Sequence, residues 1–142
     1  GCVTLDMFLH NGTLAKNAKS GDKLTVLNYQ NMDRVTTDSI TATKVIPEQP
    51  CVRLTSESGA WVECSISTPL TLFDGSVVYG REVLGKKLAV LDRSGFCWEY
   101  ITSVKNIGQK NVMLISANNQ TYAAGGDSDK MIFTHNSTVI KA

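Results

Sequence analysis

Apolar residues along this chain fall in short runs of strand length, each stopped by a turn-forming cluster. The runs are Met7 to Leu9, Lys23 to Asn28, Cys51 to Thr55, Trp61 to Ser65, Lys87 to Leu91, Phe96 to Lys105, Val112 to Ser116 and Met131 to His135. Between them lie His10-Asn11-Gly12, Ser20-Gly21-Asp22, Ser58-Gly59, Asp74-Gly75, Ser94-Gly95 and Gly125-Gly126-Asp127, whose Gly, Asn and Asp suit tight turns. Arg34 to Val45 is rich in Val, Thr and Ile, which predicts one long strand. No window sustains a 3.6-residue period, although residues 12–20 and 80–86 could each form one or two helical turns. The pattern predicts a mainly β chain, generically a sandwich or pseudo-barrel. Two stretches echo each other: Gly12-Thr13-Leu14 leading into Gly21 to Leu27, and Gly80 to Gly85 leading into Lys86 to Leu91. Each feeds a strand ending in Val-Leu, as a duplicated β-unit would.

The 142 residues are enough for one domain with a buried core, and 42% hydrophobic against 19% charged residues is a globular balance. Fourteen basic and thirteen acidic side chains supply no field for nucleic acid or a membrane surface. No apolar run approaches the roughly 18 residues of a membrane span, and the start does not resemble a signal peptide, so the expected setting is cytoplasmic. Cys2, Cys51, Cys64 and Cys97 are widely spaced, with no CxxC pair for zinc and nothing that argues for disulfides. Cys51, Cys64 and Cys97 have apolar or aromatic neighbours and read as small hydrophobes of the interior. Trp61, Phe96, Trp98 and Tyr100 read as core or sheet-face aromatics, because no basic stripe accompanies them.

The chemistry-bearing stretch is Met131-Ile132-Phe133-Thr134-His135-Asn136-Ser137. An Asn side-chain amide can attack its own backbone carbonyl, forming a succinimide and breaking the following peptide bond. A His immediately before it can protonate the departing nitrogen. The same tripeptide is also an ordinary polar strand end. Cys2 at the other end of the chain is a candidate nucleophile, and Ser137 a second one.

The residues resemble a family, the Hint domains of inteins and hedgehog proteins, and within it a mini-intein. Cys2-Val3-Thr4-Leu5-Asp6-Met7-Phe8-Leu9 is similar to the family's opening strand, and Gly21-Asp22-Lys23-Leu24 to its Gly-Asp-x-Val turn. Trp61 to Leu70 resembles the second motif, a strand ending at Thr-x-x-His-Pro. Gln120-Thr121-Tyr122-Ala123-Ala124-Gly125-Gly126 resembles the late His-x-Phe/Tyr-x-x-x-Gly motif, and His135-Asn136-Ser137 matches the terminal His-Asn-Ser/Thr/Cys. Two departures stand out. Ser65 and Thr68 occupy the second motif without its histidine, and Gln120 replaces the late one. Only one other histidine exists, His10, in the first turn.

The resemblance implies a horseshoe-shaped, pseudo-two-fold β-fold with both termini at one cleft. It implies a splicing domain over residues 2–136, an upstream flank ending at Gly1 and a downstream flank over 137–142, with no room for an inserted homing endonuclease. The expected activity is single-turnover protein splicing. Cys2 makes a thioester with Gly1, Ser137 takes over the acyl group, and Asn136 cyclises with help from His135. Ser65, Thr68 and Gln120 are the implied supporting residues. No cofactor or metal is expected, and the partners are the chain's own flanks, with no nucleic acid or membrane and a monomeric state. The alternatives are a Hint domain that cleaves without ligating, and an inert β binding or structural module. In those readings Ser65 and Thr68 only cap a strand before Pro69, and Gln120 is a solvent-facing loop residue.

Overall fold

Two strands of exceptional length organise the chain, and both bend to serve two parts of the sheet. The computed structural model describes residues 2–28, 34–119 and 121–135. Its strands are β1 (Cys2–Thr4), β2 (Lys23–Leu27), β3 (Val35–Ser56), β4 (Trp61–Ser65), β5 (Pro69–Thr71), β6 (Val77–Tyr79), β7 (Lys87–Asp92), β8 (Gly95–Ala117), β9 (Thr121–Asp127) and β10 (Lys130–His135). Of three short 3-10 turns, Ala15–Asn17 and Gly80–Glu82 fall where brief helical turns are expected, and His10–Gly12 takes the place of the first expected turn.

Eight strands close into a ring in the order β1-β4-β3-β2-β9-β10-β7-β8, and β5 and β6 form a separate hairpin. All pairings are antiparallel, and β3 also pairs with β8 along most of its length. The run Arg34 to Val45 therefore continues without a break into Cys51 to Thr55, and the two runs Phe96 to Lys105 and Val112 to Ser116 are one strand. Proline would ordinarily interrupt a paired strand because it lacks the N–H. Here the register shifts between Ile46 and Gln49, beside Pro47, and Glu48 takes a left-handed φ of 50° to absorb the kink. A second shift follows Cys51, opposite Gly108 with φ 80°.

The sequence echo marks a structural repeat. A 3-10 turn at Ala15–Asn17 precedes β2, which pairs with β3 and β9. A 3-10 turn at Gly80–Glu82 precedes β7, which pairs with β8 and β10. β9 and β10 pair with each other and complete the symmetry.

The main core gathers Val3, Leu24, Val26, Leu54, Val62, Cys64, Leu88, Val90, Tyr122 and Ile132 among others. A second cluster of Leu27, Ala89, Ala123, Met131 and Phe133 lies on the opposite face, with Phe96 and Trp98 packed against it. β10 is thus buried on both faces, which explains why Met131-Ile132-Phe133 is a continuous apolar run rather than an alternation.

Three expectations need correction. Met7 to Leu9 is no strand. Phe8 makes isolated bridges to Leu14 and Gly125 and the segment then turns. Gly125-Gly126-Asp127 is no turn but the end of β9. Glycine is needed there for close approach. The Gly125 amide and carbonyl bond Phe8 at 3.1 and 2.7 Å, and a Cβ on Gly125 would sit 2.9 Å from the Lys130 carbonyl oxygen. At Gly126 it would run into the Trp61 ring. Cys97, finally, is exposed. It pairs with Val90 of β7 and shares a side of β8 with the buried Glu99, toward which its thiol donates at 3.4 Å. The sheet-face reading holds for Trp61, Phe96 and Trp98, which are partly buried, while Tyr100 is largely exposed. Trp61 and Tyr100 each carry a cation, Arg53 at 4.1 Å and Lys87 at 4.8 Å from the ring centroids.

Gly125→Ala should lower unfolding stability by about 1–3 kcal/mol, because backbone atoms on both sides cannot yield. Gly126→Ala should cost a similar amount by driving Trp61 off Arg53. Urea unfolding measures both, and a midpoint equal to the parent's would show that the packing relaxes freely.

Candidate functional site

β1 is only three residues long and is held on both edges. Cys2, Val3 and Thr4 pair with Leu114, Met113 and Val112 of β8, and Val3 also pairs with Cys64 of β4. That register sets Cys2 beside Ser65, the last residue of β4. The chain then turns through Ile66 and Ser67, and the Thr68 amide bonds the Ser65 carbonyl at 3.0 Å. This turn brings the Thr68 hydroxyl back over Cys2.

The geometry at Thr68 Oγ1 is specific. It accepts the Cys2 amide N–H at 3.2 Å and donates to the Cys2 carbonyl at 3.1 Å. Ser65 Oγ is 2.8 Å away. A hydroxyl has one proton and two acceptor sites. With the proton on the Cys2 carbonyl, the Ser65 hydroxyl must donate, so Thr68 is saturated. Ser65 and Thr68 are 3% and 1% exposed. Thr68 thus binds both polar groups of the Cys2 backbone, and Ser65 bonds the Thr68 hydroxyl.

The Cys2 thiol is half-buried, and desolvation pushes its pKa above the ordinary value. Cys64 is fully buried, and the loss of water pushes its thiol up to about 12. The neighbouring Cys51 adds to this, and the Thr68 hydroxyl opposes it. Cys51 is buried and also raised by desolvation, and its thiol donates to the Gln49 carbonyl at 3.2 Å. In the next row, Glu63 ties the sheet together. It accepts from Thr4 Oγ1 at 3.2 Å and from Arg53 Nη2 at 2.6 Å. Two surface depressions, one at Thr4–Asp6, Glu63 and Lys110–Asn111 and one at Asp92–Ser94, Asp127 and Asp129–Lys130, include none of Cys2, Ser65, Thr68 or His135.

β10 delivers the other end of the chain. It packs on β4 and β5, so β4 touches both terminal strands. His135 is its last residue, opposite Thr121 and 8% exposed. Gly1, Gln120, Asn136 and Ser137 lie outside the described residues, as does the downstream flank 137–142. His10 is engaged elsewhere, its Nδ1 2.7 Å from Thr25 Oγ1.

Two residues near the site carry no motif-derived role. Tyr122 and Thr134 are cross-strand partners, both 0% exposed. Their hydroxyls lie beside each other, yet neither completes a well-formed hydrogen bond. Burial raises the Tyr122 phenol, the Thr134 hydroxyl opposes this, and the Cys2 and Cys64 thiols raise it further. Tyr122 belongs to the late motif, but the sequence directs attention to the Gln120 that replaces its histidine.

No protein-family model and no curated protein matches the sequence. Solved structures do match. A DnaB intein from Synechocystis sp. PCC 6803 superposes with a TM-score of 0.81 at 16% identity, covering 96% of this chain and 98% of that one. The Ssp DnaB mini-intein variant M86 gives 0.79 at 16% identity, over 96% and 94%. A bacterial intein-like domain from Clostridium thermocellum gives 0.76 at 21% identity, over 95% and 98%. The chain has the fold of inteins and intein-like domains, the Hint fold.

Proposed function

We propose that this is a protein-splicing domain that excises residues 2–136 and joins its flanks. The observation that carries the reading is the grip of Thr68 on the Cys2 backbone at one end of β4, with β10 packed on the same strand and ending one residue before Asn136. The Cys2 sulfur attacks the Gly1 carbonyl and exchanges the peptide bond for a thioester. Ser137 attacks that thioester and receives the upstream flank on its oxygen. Asn136 cyclises, His135 protonates the departing nitrogen, and the ester rearranges to a peptide. The partners are the flanks themselves, and a monomer suffices.

Each residue meets a specific demand. Proximity of the two junctions is worth on the order of 7–11 kcal/mol in favourable intramolecular reactions. Cys64 lies next to Cys2, but burial keeps it protonated at neutral pH, so it does not compete as a nucleophile. Thr68 occupies the position of the family's second-motif histidine. Its hydroxyl accepts the N–H of the Cys2 junction, and its single proton is already committed to the Cys2 carbonyl. It can protonate the leaving amine only by releasing that bond and taking another proton from Ser65. A hydroxyl is also a far weaker acid than imidazolium. The first step is therefore the slow one. This same saturation favours a second reading, cleavage at the Asn136 junction without ligation.

Dithiothreitol cleavage at Gly1–Cys2 in an Asn136→Ala background isolates the first step. Thr68→Ala should slow it at least about tenfold, since general acid–base help is typically worth 10²–10⁴. Equal rates would reduce Thr68 to a strand cap. Because burial raises the Cys2 thiol, the same cleavage should accelerate by roughly tenfold per pH unit from neutrality to about pH 9, the thiolate being the nucleophile. A plateau below that pH would mean that the thiol is not raised.

The exit step is followed by mass spectrometry of the purified chain over hours. The parent should lose Ser137–Ala142, Asn136→Ala should retain it, and His135→Ala should lose it more slowly. Release without ligation selects the cleaving domain, and an unchanged parent mass at every pH and thiol concentration selects the inert module.

A further inference from the structure

Three hydroxyls line up from the Cys2 backbone to the surface at the end of β4. Thr68 Oγ1 lies 3.2 Å from the Cys2 nitrogen, Ser65 Oγ 2.8 Å from Thr68 Oγ1, and Ser67 Oγ 3.4 Å from Ser65 Oγ. Thr68 and Ser65 are buried, whereas Ser67 is exposed to water. The turn between β4 and β5 makes this alignment. The Ile66 amide bonds the Pro50 carbonyl at 2.9 Å and the Thr68 amide bonds the Ser65 carbonyl at 3.0 Å, which holds Ser67 on the outside. Thr68 alone supplies the grip on Cys2, so the other two hydroxyls have to be accounted for.

We propose that Thr68, Ser65 and Ser67 form a proton relay from bulk water to the Cys2 nitrogen, with Ser67 as its solvent end. This rests on the splicing reading. The Cys2 thiol gives its proton to water, and the thiolate forms the carbon–sulfur bond as the carbonyl π pair moves onto oxygen. The nitrogen is then no longer an amide, and its lone pair becomes basic. It takes the Thr68 proton while Thr68 takes one from Ser65, Ser65 from Ser67, and Ser67 from water. The carbonyl reforms, the carbon–nitrogen bond breaks, and the products are a thioester and a free amine. One proton leaves for solvent and one returns, so atoms and charge balance with no co-reactant. A hydroxyl can accept one proton while it passes on another, so no alkoxide has to form and the weak acidity of a lone hydroxyl ceases to matter. The Cys64 thiol also neighbours Thr68, but it has no exposure, and its raised pKa reflects the cost of leaving a thiolate in the dry core. Water reaches Thr68 through the serines instead, and Ser67 acts through Ser65 without touching the reacting atoms.

The test uses the full chain with a reporter protein fused ahead of Gly1, in the Asn136→Ala background. Cleavage is followed at saturating dithiothreitol, where the acyl shift limits the rate, in mixtures of light and heavy water. The parent rate should fall along a bowed curve as the deuterium fraction rises, because several protons move together. Ser65→Ala interrupts the relay at a buried point, so it should slow cleavage and straighten that curve. Ser67→Ala should slow cleavage about three- to tenfold, less than the 10²–10⁴ of a full general acid, because water partly replaces an exposed hydroxyl. Ser67→Thr should recover the parent rate. A straight parent plot, a Ser67→Ala that cleaves as fast as the parent, or a Ser67→Thr as slow as Ser67→Ala overturns the inference and leaves the splicing reading intact. A parent that never cleaves overturns the splicing reading itself. If Ser65→Ala does not fold, the parent plot and the two Ser67 variants still decide.

Discussion

Both terminal strands of the ring have to rest on β4, and most of the architecture follows from that requirement. β4 pairs with β1 on one edge and β3 on the other, and β10 packs across it. Three strands can converge there only if the sheet curls closed. β3 and β8 achieve this by running 22 and 23 residues and changing partners along the way. β3 leaves β2 for β4 while β8 leaves β7 for β1, and the two pair with each other from Ile40 opposite Ala117 to Ser56 opposite Ile101. Bulges beside Pro47 and opposite Gly108 allow the bend. Sheets curve where an extra residue breaks the ladder.

In the proposed reaction the same convergence sets folding against reactivity. Closing the ring dries the interior, and drying raises the thiols of Cys2, Cys51 and Cys64 together. A nucleophilic thiol gains position and loses thiolate. On energetic grounds position wins, since a raised pKa costs about 1.4 kcal/mol per unit and proximity is worth several times that. The polar groups that remain in the dry region are few and closely assigned. Thr68 is saturated by Cys2 and Ser65, whereas Tyr122 and Thr134 are left open. A saturated hydroxyl holds geometry.

Much of the fold is legible in the residues. Trp61 to Ser65 coincides with β4, Lys87 to Leu91 with β7 and Met131 to His135 with β10, because local β-propensity and turn chemistry agree there. The repeat is visible because both copies keep the same run into a Val-Leu strand. The sequence by itself determined which groups are available: a Cys at one end, His-Asn-Ser at the other, and hydroxyls where a histidine is usual. Tertiary structure decided the rest. Gly125 and Gly126 look like a turn because glycine serves turns and close approaches equally. Only the presence of Phe8 and Trp61 against β9 distinguishes them. Cys97 has aromatic neighbours in sequence, but it lies two residues into β8, near the end of the β7–β8 hairpin, where it stays exposed. The return of Thr68 onto Cys2, 66 residues away, and the burial of Tyr122 and Cys64 in one core depend on ring closure. Contacts between distant strands leave no local trace, because their register is set by the sheet as a whole.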